Sequence, residues 1–309
     1  MNKKIITALV ALSIVIPTTA YADLNNNSNP TIAILDTGLD MSLPEFKDKV
    51  VYEVCITEWA GCPNNKNYME GPGSSVIPSK FISSGGLDHG TQMVSAAIQT
   101  NPNVRIVFVR IIGTSPNGSP QLNVTESTFT NALNWVLNNK DKFNIQAISL
   151  AQVNYSPLPG ANYCRNTPST QNLIKSLSVS GVPFFAAAGN NQDYKRISWP
   201  ACISDTVAIG ATMDGDVIYT KGNADPNLLD FYALGSMRLK TVGNKDVNVV
   251  GTSIATQVAA VVWASYKFKN QSMSYQDIYN KLVSTSIPVS GRGGVSGKLI
   301  DKDGLINGK

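Results

Sequence analysis

The sequence predicts an α/β fold: a three-layer sandwich with a mainly parallel central sheet and helices on both faces. Two observations carry this. Five short runs between residues 31 and 211 are apolar almost throughout and rich in Val, Ile, Ala and Phe. Such runs suit strands buried on both faces, as parallel strands are. Between and after them lie segments whose apolar residues recur at helical spacing, and strands alternating with helices build βαβ units.

The strand runs are "TIAILD" (31–36), "VRIVFVRII" (104–112), "IQAISL" (145–150), "VPFFAAAG" (182–189) and "TVAIGA" (206–211). The first helix spans 89–100. The second, "VTESTFTNALNWVLNN" (124–139), places Phe129, Leu133, Val136 and Leu137 on one face. A third spans 169–181 and stops at Gly181, with Pro183 beyond it. "SIATQVAAVVWASYKF" (253–268) is apolar enough to run through the core, and "SYQDIYNKLVSTS" (274–286) is a more exposed helix. Residues 52–87, rich in Gly, Pro, Ser and Asn, read as a long surface insertion, and 290–298 as a flexible tail. Neither a repeat nor a second domain is marked, so residues 23–309 read as one domain.

Residues 1–22 precede it as a signal peptide. Lys3 and Lys4 are followed by an apolar run from Ile5 to Ile16 and by the small-residue spacing Ala20-x-Ala22. This pattern marks a segment cleaved on export, too short to be a membrane anchor. Its removal lowers the formal net charge of +4 to +2. With no cluster of Lys and Arg, neither nucleic acid nor an anionic membrane is the expected partner. No later apolar run reaches the ~18 residues of a membrane-spanning helix. Periplasm and external medium both fit an exported chain.

Four cysteines in such a chain suggest two disulfides, with three connectivities open. Cys55 and Cys62 lie close together in one loop-like stretch, which favours joining them and leaves Cys164 for Cys202. A metal site fits poorly, since the cysteines lack a C-x-x-C spacing and a nearby His. No metal is expected.

Three stretches carry candidate chemistry. In "IAILDTGLD" a strand runs into Asp36, and ligands gather at the carboxyl ends of strands in open α/β sheets. Asp-Thr-Gly is also the aspartic-protease signature, but that chemistry needs two such aspartates. No second copy exists here, so this alternative requires a homodimer of an oversized subunit. His89, in "LDHGTQMVSAA", is the only histidine. A lone histidine is more often structural than catalytic, so it needs partners. Ser253 follows Gly-Thr where the most apolar helix begins, as an N-cap would. A hydroxyl there is also placed as a nucleophile beside N–H groups that stabilise negative charge. Its base could only be His89, and Asp36 could orient that base. The chain order Asp, His, Ser excludes the α/β-hydrolase and chymotrypsin designs and matches that of subtilisin.

"AILDTGLD", "HGT", "AISL", "AAAGN", "WPACISDTVAIGAT" and "GTSIAT", in that order, resemble the successive motifs of the subtilisin-like serine proteases. The resemblance runs from about residue 31 to 260. It implies a serine endopeptidase acting on a protein or peptide through an acyl-enzyme, without a cofactor. Ser253 would be the nucleophile, His89 the general base and Asp36 its orienting carboxylate. Asn190 would donate to the oxyanion together with the Ser253 N–H. Substrate would lie as an added strand along Ser149, Leu150 and Ala151, with Ala188 and Gly189 forming the other wall of the P1 pocket. These small, uncharged walls imply an apolar P1 residue.

The chain departs from the family pattern at several points. Leu43 replaces the His of His-Pro, Gln92 and Ser95 replace residues of "HGTHVAG", and Gln257 replaces a Pro. Ala151 and Gln152 stand where the family usually has Gly-Gly. None of these carries a proton transfer. Family calcium sites are not traceable, and "MDGD" (213–216) reads as a turn. Only residues 23–35 separate the expected cleavage point from Asp36, too few for a pro-domain. Unaided folding, or a separate chaperone or inhibitor protein, is therefore expected. A binding protein on the same fold with decayed catalysis is the other class of function, and the retained Asp36, His89, Ser253 and Asn190 weigh against it.

Overall fold

The structure, a computed structural model, describes residues 28–77, 87–113, 124–154, 164 and 168–307. The expected signal peptide and its cleavage point lie outside these residues. Among them, ten strands form one sheet in the order β11-β12-β8-β7-β6-β5-β1-β4-β2-β3. The strands are β1 (Thr31–Asp36), β2 (Val50–Ile56), β3 (Tyr68–Glu70), β4 (Arg105–Arg110), β5 (Ile145–Leu150), β6 (Phe184–Ala187), β7 (Val207–Thr212), β8 (Phe231–Leu234), β11 (Ile287–Ser290) and β12 (Ser296–Leu299). All neighbours pair in parallel except β2–β3 and β11–β12 at the two edges. A separate antiparallel hairpin joins β9 (Ser236–Thr241) to β10 (Lys245–Val250).

The described chain also has six α-helices: α1 (His89–Thr100), α2 (Glu126–Asn139), α3 (Pro168–Val179), α4 (Thr252–Lys269), α5 (Tyr275–Thr285) and α6 (Lys302–Asn307). Alternate residues of β1 and β4 feed two separate cores. Ala33, Leu35, Val107 and Val109 pack with Phe129 and Leu133 of α2 and Ile174 of α3. Ile32, Ile34, Ile106 and Phe108 pack with Val94 of α1, Val258 and Trp263 of α4, and Ile278 of α5. Helices thus cover both faces, giving the three layers that the sequence predicts. Central helix α4 is apolar all round and fully enclosed over most of its length, as such a helix must be.

The five predicted strands and five predicted helices are present within a few residues of their expected bounds. Three regions differ. The stretch 52–87 is not wholly an insertion: its first residues belong to the buried strand β2, paired with β4, and β3 closes the edge. Residues 290–298, read as a flexible tail, form most of the β11–β12 hairpin. Strands β8, β9 and β10 and helix α6 carry no expectation from the sequence. They are short, or half-exposed with mixed polarity, so neither length nor periodicity marks them.

Two disulfides are present, Cys55–Cys62 and Cys164–Cys202. The first spans 7 residues of sequence and the second 38. On a chain-entropy account these loops stabilise the fold by about 2 and about 4 kcal/mol respectively. Urea denaturation of the two double Cys→Ala variants should therefore show the larger loss for Cys164/Cys202. Equal or reversed losses would mean that loop entropy is not what these bonds contribute.

Candidate active site

The chain reverses its direction of travel across the sheet at β1, which has β4 on one side and β5 on the other. A crevice opens at the carboxyl ends of strands around such a point. Asp36 ends β1 there and is fully buried. The Thr37 N–H donates to Asp36 Oδ1 at 2.7 Å. Thr37 also ties the strand end to the start of α1. Its hydroxyl donates to the Leu87 carbonyl at 2.8 Å and accepts from the Gly90 N–H at 2.9 Å. Gly90 permits this approach, because a Cβ there would lie 2.6 Å from the Gly38 carbonyl and 2.7 Å from Phe108.

His89, the first residue of α1, is thereby set against the carboxylate. Its Nδ1 lies 2.8 Å from Asp36 Oδ1 and 3.1 Å from Oδ2, and its side chain is 29% exposed. A carboxylate at this distance requires the ring proton on Nδ1, which leaves the Nε2 lone pair free. Partial burial pulls the imidazole pKa down. The charge and hydrogen bond of Asp36, with the charge of Asp88, outweigh it and leave the pKa raised above the ordinary 6.5.

Ser253 is the second residue of α4, where backbone N–H groups have no intrahelical partner. Its hydroxyl donates to the Ala151 carbonyl at 3.4 Å, and among the described residues it makes no hydrogen bond to His89. Asn190 acts as an external cap on the same helix. Its Oδ1 accepts from the Thr252 N–H at 3.0 Å and from the Thr252 hydroxyl at 3.2 Å. That hydroxyl in turn accepts from the Gly189 N–H at 3.2 Å. With Oδ1 held by Thr252, the Asn190 Nδ2 has no hydrogen-bond partner among the described residues and stands at the helix N-terminus.

The loop carrying Asn190 is braced by Asn223, a buried residue that the motifs do not single out. Asn223 Oδ1 accepts from the N–H groups of Asn191 and Asp193 at 2.7 and 3.2 Å, and its own N–H donates to the Gly189 carbonyl at 2.8 Å. Gly189 has φ +103°, and a Cβ on it would lie 2.6 Å from Asn223 Nδ2 and overlap the Ser198 hydroxyl. Nothing local in "KGNADP" signals this role, since Asn223 lies 30 residues or more from the loop it holds.

Ser149 and Leu150 end β5, flanked by Ile34 and Leu35 of β1 and by Phe185 and Ala186 of β6. Both residues are fully buried. Ala151 follows at the mouth of the crevice, and Ala188 and Gly189 follow β6 beside it. Residues Asn154 and Trp199 exchange two backbone hydrogen bonds, at 2.9 and 3.0 Å, and so close the far end of this wall. Gln152 reaches back from the wall to the Asp36–His89 pair. Among the described residues, no group of three or more His, Cys, Asp or Glu side chains is arranged to hold a metal ion.

A model of the subtilase family matches residues 27–303. Alkaline elastase YaB of Bacillus sp. (strain YaB) is 28% identical over 236 residues, which cover 73% of this chain and 57% of that one. The major intracellular serine protease of Bacillus subtilis (strain 168) is 24% identical, covering 84% of this chain and 77% of that one. This chain thus spans little more than half the length of the first relative. Among solved structures, a cold-adapted subtilisin-like serine proteinase superposes with a TM-score of 0.61 at 22% identity, covering 87% of each chain. The prenylagaramide maturation protease PagA does so with a TM-score of 0.65 at 16% identity, covering 90% of this chain and 93% of that one. With the family model spanning nearly the whole described fold, the chain belongs to the subtilase family.

Proposed function

We propose that the protein is an exported serine endopeptidase that cleaves peptide bonds by acyl transfer through Asp36, His89 and Ser253. The observation that carries this reading is the contact of the single histidine with a buried aspartate, 2.8 Å from Nδ1 to Oδ1. It sits in the same crevice as a serine at the N-terminus of a buried helix. The relatives' serine protease chemistry points the same way. The N-terminal signal pattern and the two disulfides support export. Asp36 is fully buried within its own chain against the His89 imidazole, so it is not exposed to share a proton with a second subunit's aspartate, as the aspartic-protease alternative requires.

In this mechanism the Ser253 hydroxyl swings from the Ala151 carbonyl toward His89 as substrate enters. Oγ attacks the scissile carbonyl while Nε2 takes its proton, and Asp36 stabilises the resulting imidazolium. The oxyanion accepts from the Ser253 N–H and Asn190 Nδ2, donors that are already oriented before reaction. His89 then returns the proton to the leaving amine, and water releases the acyl group by the reverse sequence. Peptide lies along the backbone from Ser149 to Ala151, and the small walls at Ala188 and Gly189 favour an apolar P1 side chain.

Three outcomes test this. A fluorophosphonate should label the wild-type protein, and Ser253→Ala should abolish labelling. His89→Ala should slow it by at least about a thousandfold. A folded wild type that never labels would sink the proposal. Because His89 must be neutral to accept the proton and its pKa is raised, kcat/KM should fall on acidification with a midpoint above pH 6.5. A midpoint well below that would show that Asp36 does not act on the ring. Finally, Asn190→Ala should lower kcat about 10²–10³-fold while leaving KM nearly unchanged. A loss confined to KM would place Asn190 in substrate binding instead.

A further inference from the structure

Gln152 follows Ala151 on the wall of the crevice and is half-buried. Its Nε2 lies 2.8 Å from His89 Nδ1 and 3.3 Å from Asp36 Oδ1. A glycine, usual in the family here, could make neither contact. The two contacts have opposite chemical consequences. Nδ1 carries one hydrogen at most, so it cannot donate to Asp36 and also accept from the amide. An amide N–H donated to Nδ1 would move the ring proton to Nε2, the nitrogen that must accept from Ser253. An amide N–H donated to Asp36 Oδ1 leaves the productive tautomer in place.

Asp36 decides between them. A buried carboxylate facing a deprotonated Nδ1 at 2.8 Å would set two lone pairs against each other, so the ring proton stays on Nδ1. The 2.8 Å approach of Nε2 to Nδ1 is then a close contact of two donors, not a hydrogen bond. The Gln152 N–H is left with Oδ1 as its acceptor at 3.3 Å. That oxygen also receives the Thr37 N–H at 2.7 Å, so two protein donors share the charge that faces the imidazole.

We infer that Gln152 is a positioning residue for the Asp36–His89 pair, one that donates its amide N–H to Asp36 and tempers the charge that His89 feels. The inference deepens the proposed mechanism and rests on it for its bearing on turnover. The contact itself is a property of the folded chain, whether or not the protein is an active peptidase. The other charge acting on the ring is Asp88 before α1, while Arg110 lies on β4 in register with Asp36 and Lys240 on β9, which packs against α1. Arg110 donates to the carbonyls of Ile112 and Val76 at 3.0 and 3.1 Å, and Lys240 pairs with Asp246 at 3.2 Å. Substituting Gln152 leaves all of them in place.

Because the chain has one histidine, an NMR titration of the imidazole in untagged protein reads this residue alone. Wild type, Gln152→Ala and the near-isosteric Gln152→Glu would be titrated, with the ring nitrogen shifts reporting the tautomer. Removing a donor from Asp36 should raise the His89 midpoint by about half a pH unit, and adding a carboxylate should raise it by about one unit or more. The Nδ1–H tautomer should persist in Gln152→Ala. Parallel kinetics should show kcat near pH 7 falling several-fold, with KM within about twofold. Unchanged midpoints in both variants, or a fall in Gln152→Ala, would overturn the inference. If Gln152→Ala does not fold, Gln152→Glu decides alone. A wild type that titrates as described yet never labels with a fluorophosphonate would remove the peptidase reading and leave the assignment of Gln152 intact.

Discussion

Everything at the working edge of this protein follows from burying one carboxylate. Asp36 has no solvent contact, and an unpaired carboxylate in such a place would be strongly destabilising. Its compensation comes from three directions: the Thr37 N–H along the chain, the imidazole of His89 above it, and the Gln152 amide from the adjoining strand. Each demands a particular chain path. The turn after β1 must present an N–H, α1 must begin at His89, and the chain leaving β5 must stay beside β1. Parallel pairing of β1 with both β4 and β5 holds that last requirement in register.

A second constraint meets the first from the far side of the crevice. Helix α4 is held by apolar burial along its length, so its first turn cannot slide or tilt to suit the chemistry. The loops must come to it. Asn190 does so by capping Thr252, and Asn223 and the positive φ of Gly189 hold Asn190 in turn. Ser253 and the Asn190 amide therefore rest at a rigid helix end. His89 begins a separate helix, tied to β1 through Thr37. The Ser253 hydroxyl meets the carbonyl of Ala151, the residue before the Gln152 that reaches His89.

The legible part of this arrangement is the part whose cause is local. Strands buried on both faces must be apolar at every position, so β1, β4, β5, β6 and β7 announce themselves, and α4 does so by its unbroken apolar run. Asp36, His89, Ser253 and Asn190 stand inside short motifs at strand ends or helix starts, where turn chemistry already restricts the residue. Illegible were β8, which is only four residues long, and β9 to β12, because hairpins keep one side in water and mix polar with apolar residues. Asn223 escaped notice because its partners lie about 30 residues away, and Gln152 because a departure from a motif does not say where a side chain turns.

The disulfides complete the same logic. Cys55 lies in register with Arg110, which is itself in register with Asp36, so the first bond sits across two strands from the buried carboxylate. Cys202 follows Trp199 by three residues, where the chain has just bridged to Asn154 beside the crevice. Both cross-links therefore fall at the carboxyl edge of the sheet. The segment between Cys55 and Cys62 exposes Trp59 and has little apolar surface to bury. Loops that shape a crevice must leave it open, and so cannot be anchored by filling it with side chains. Covalent bonds and shared backbone hydrogen bonds do there what close packing does in the two cores.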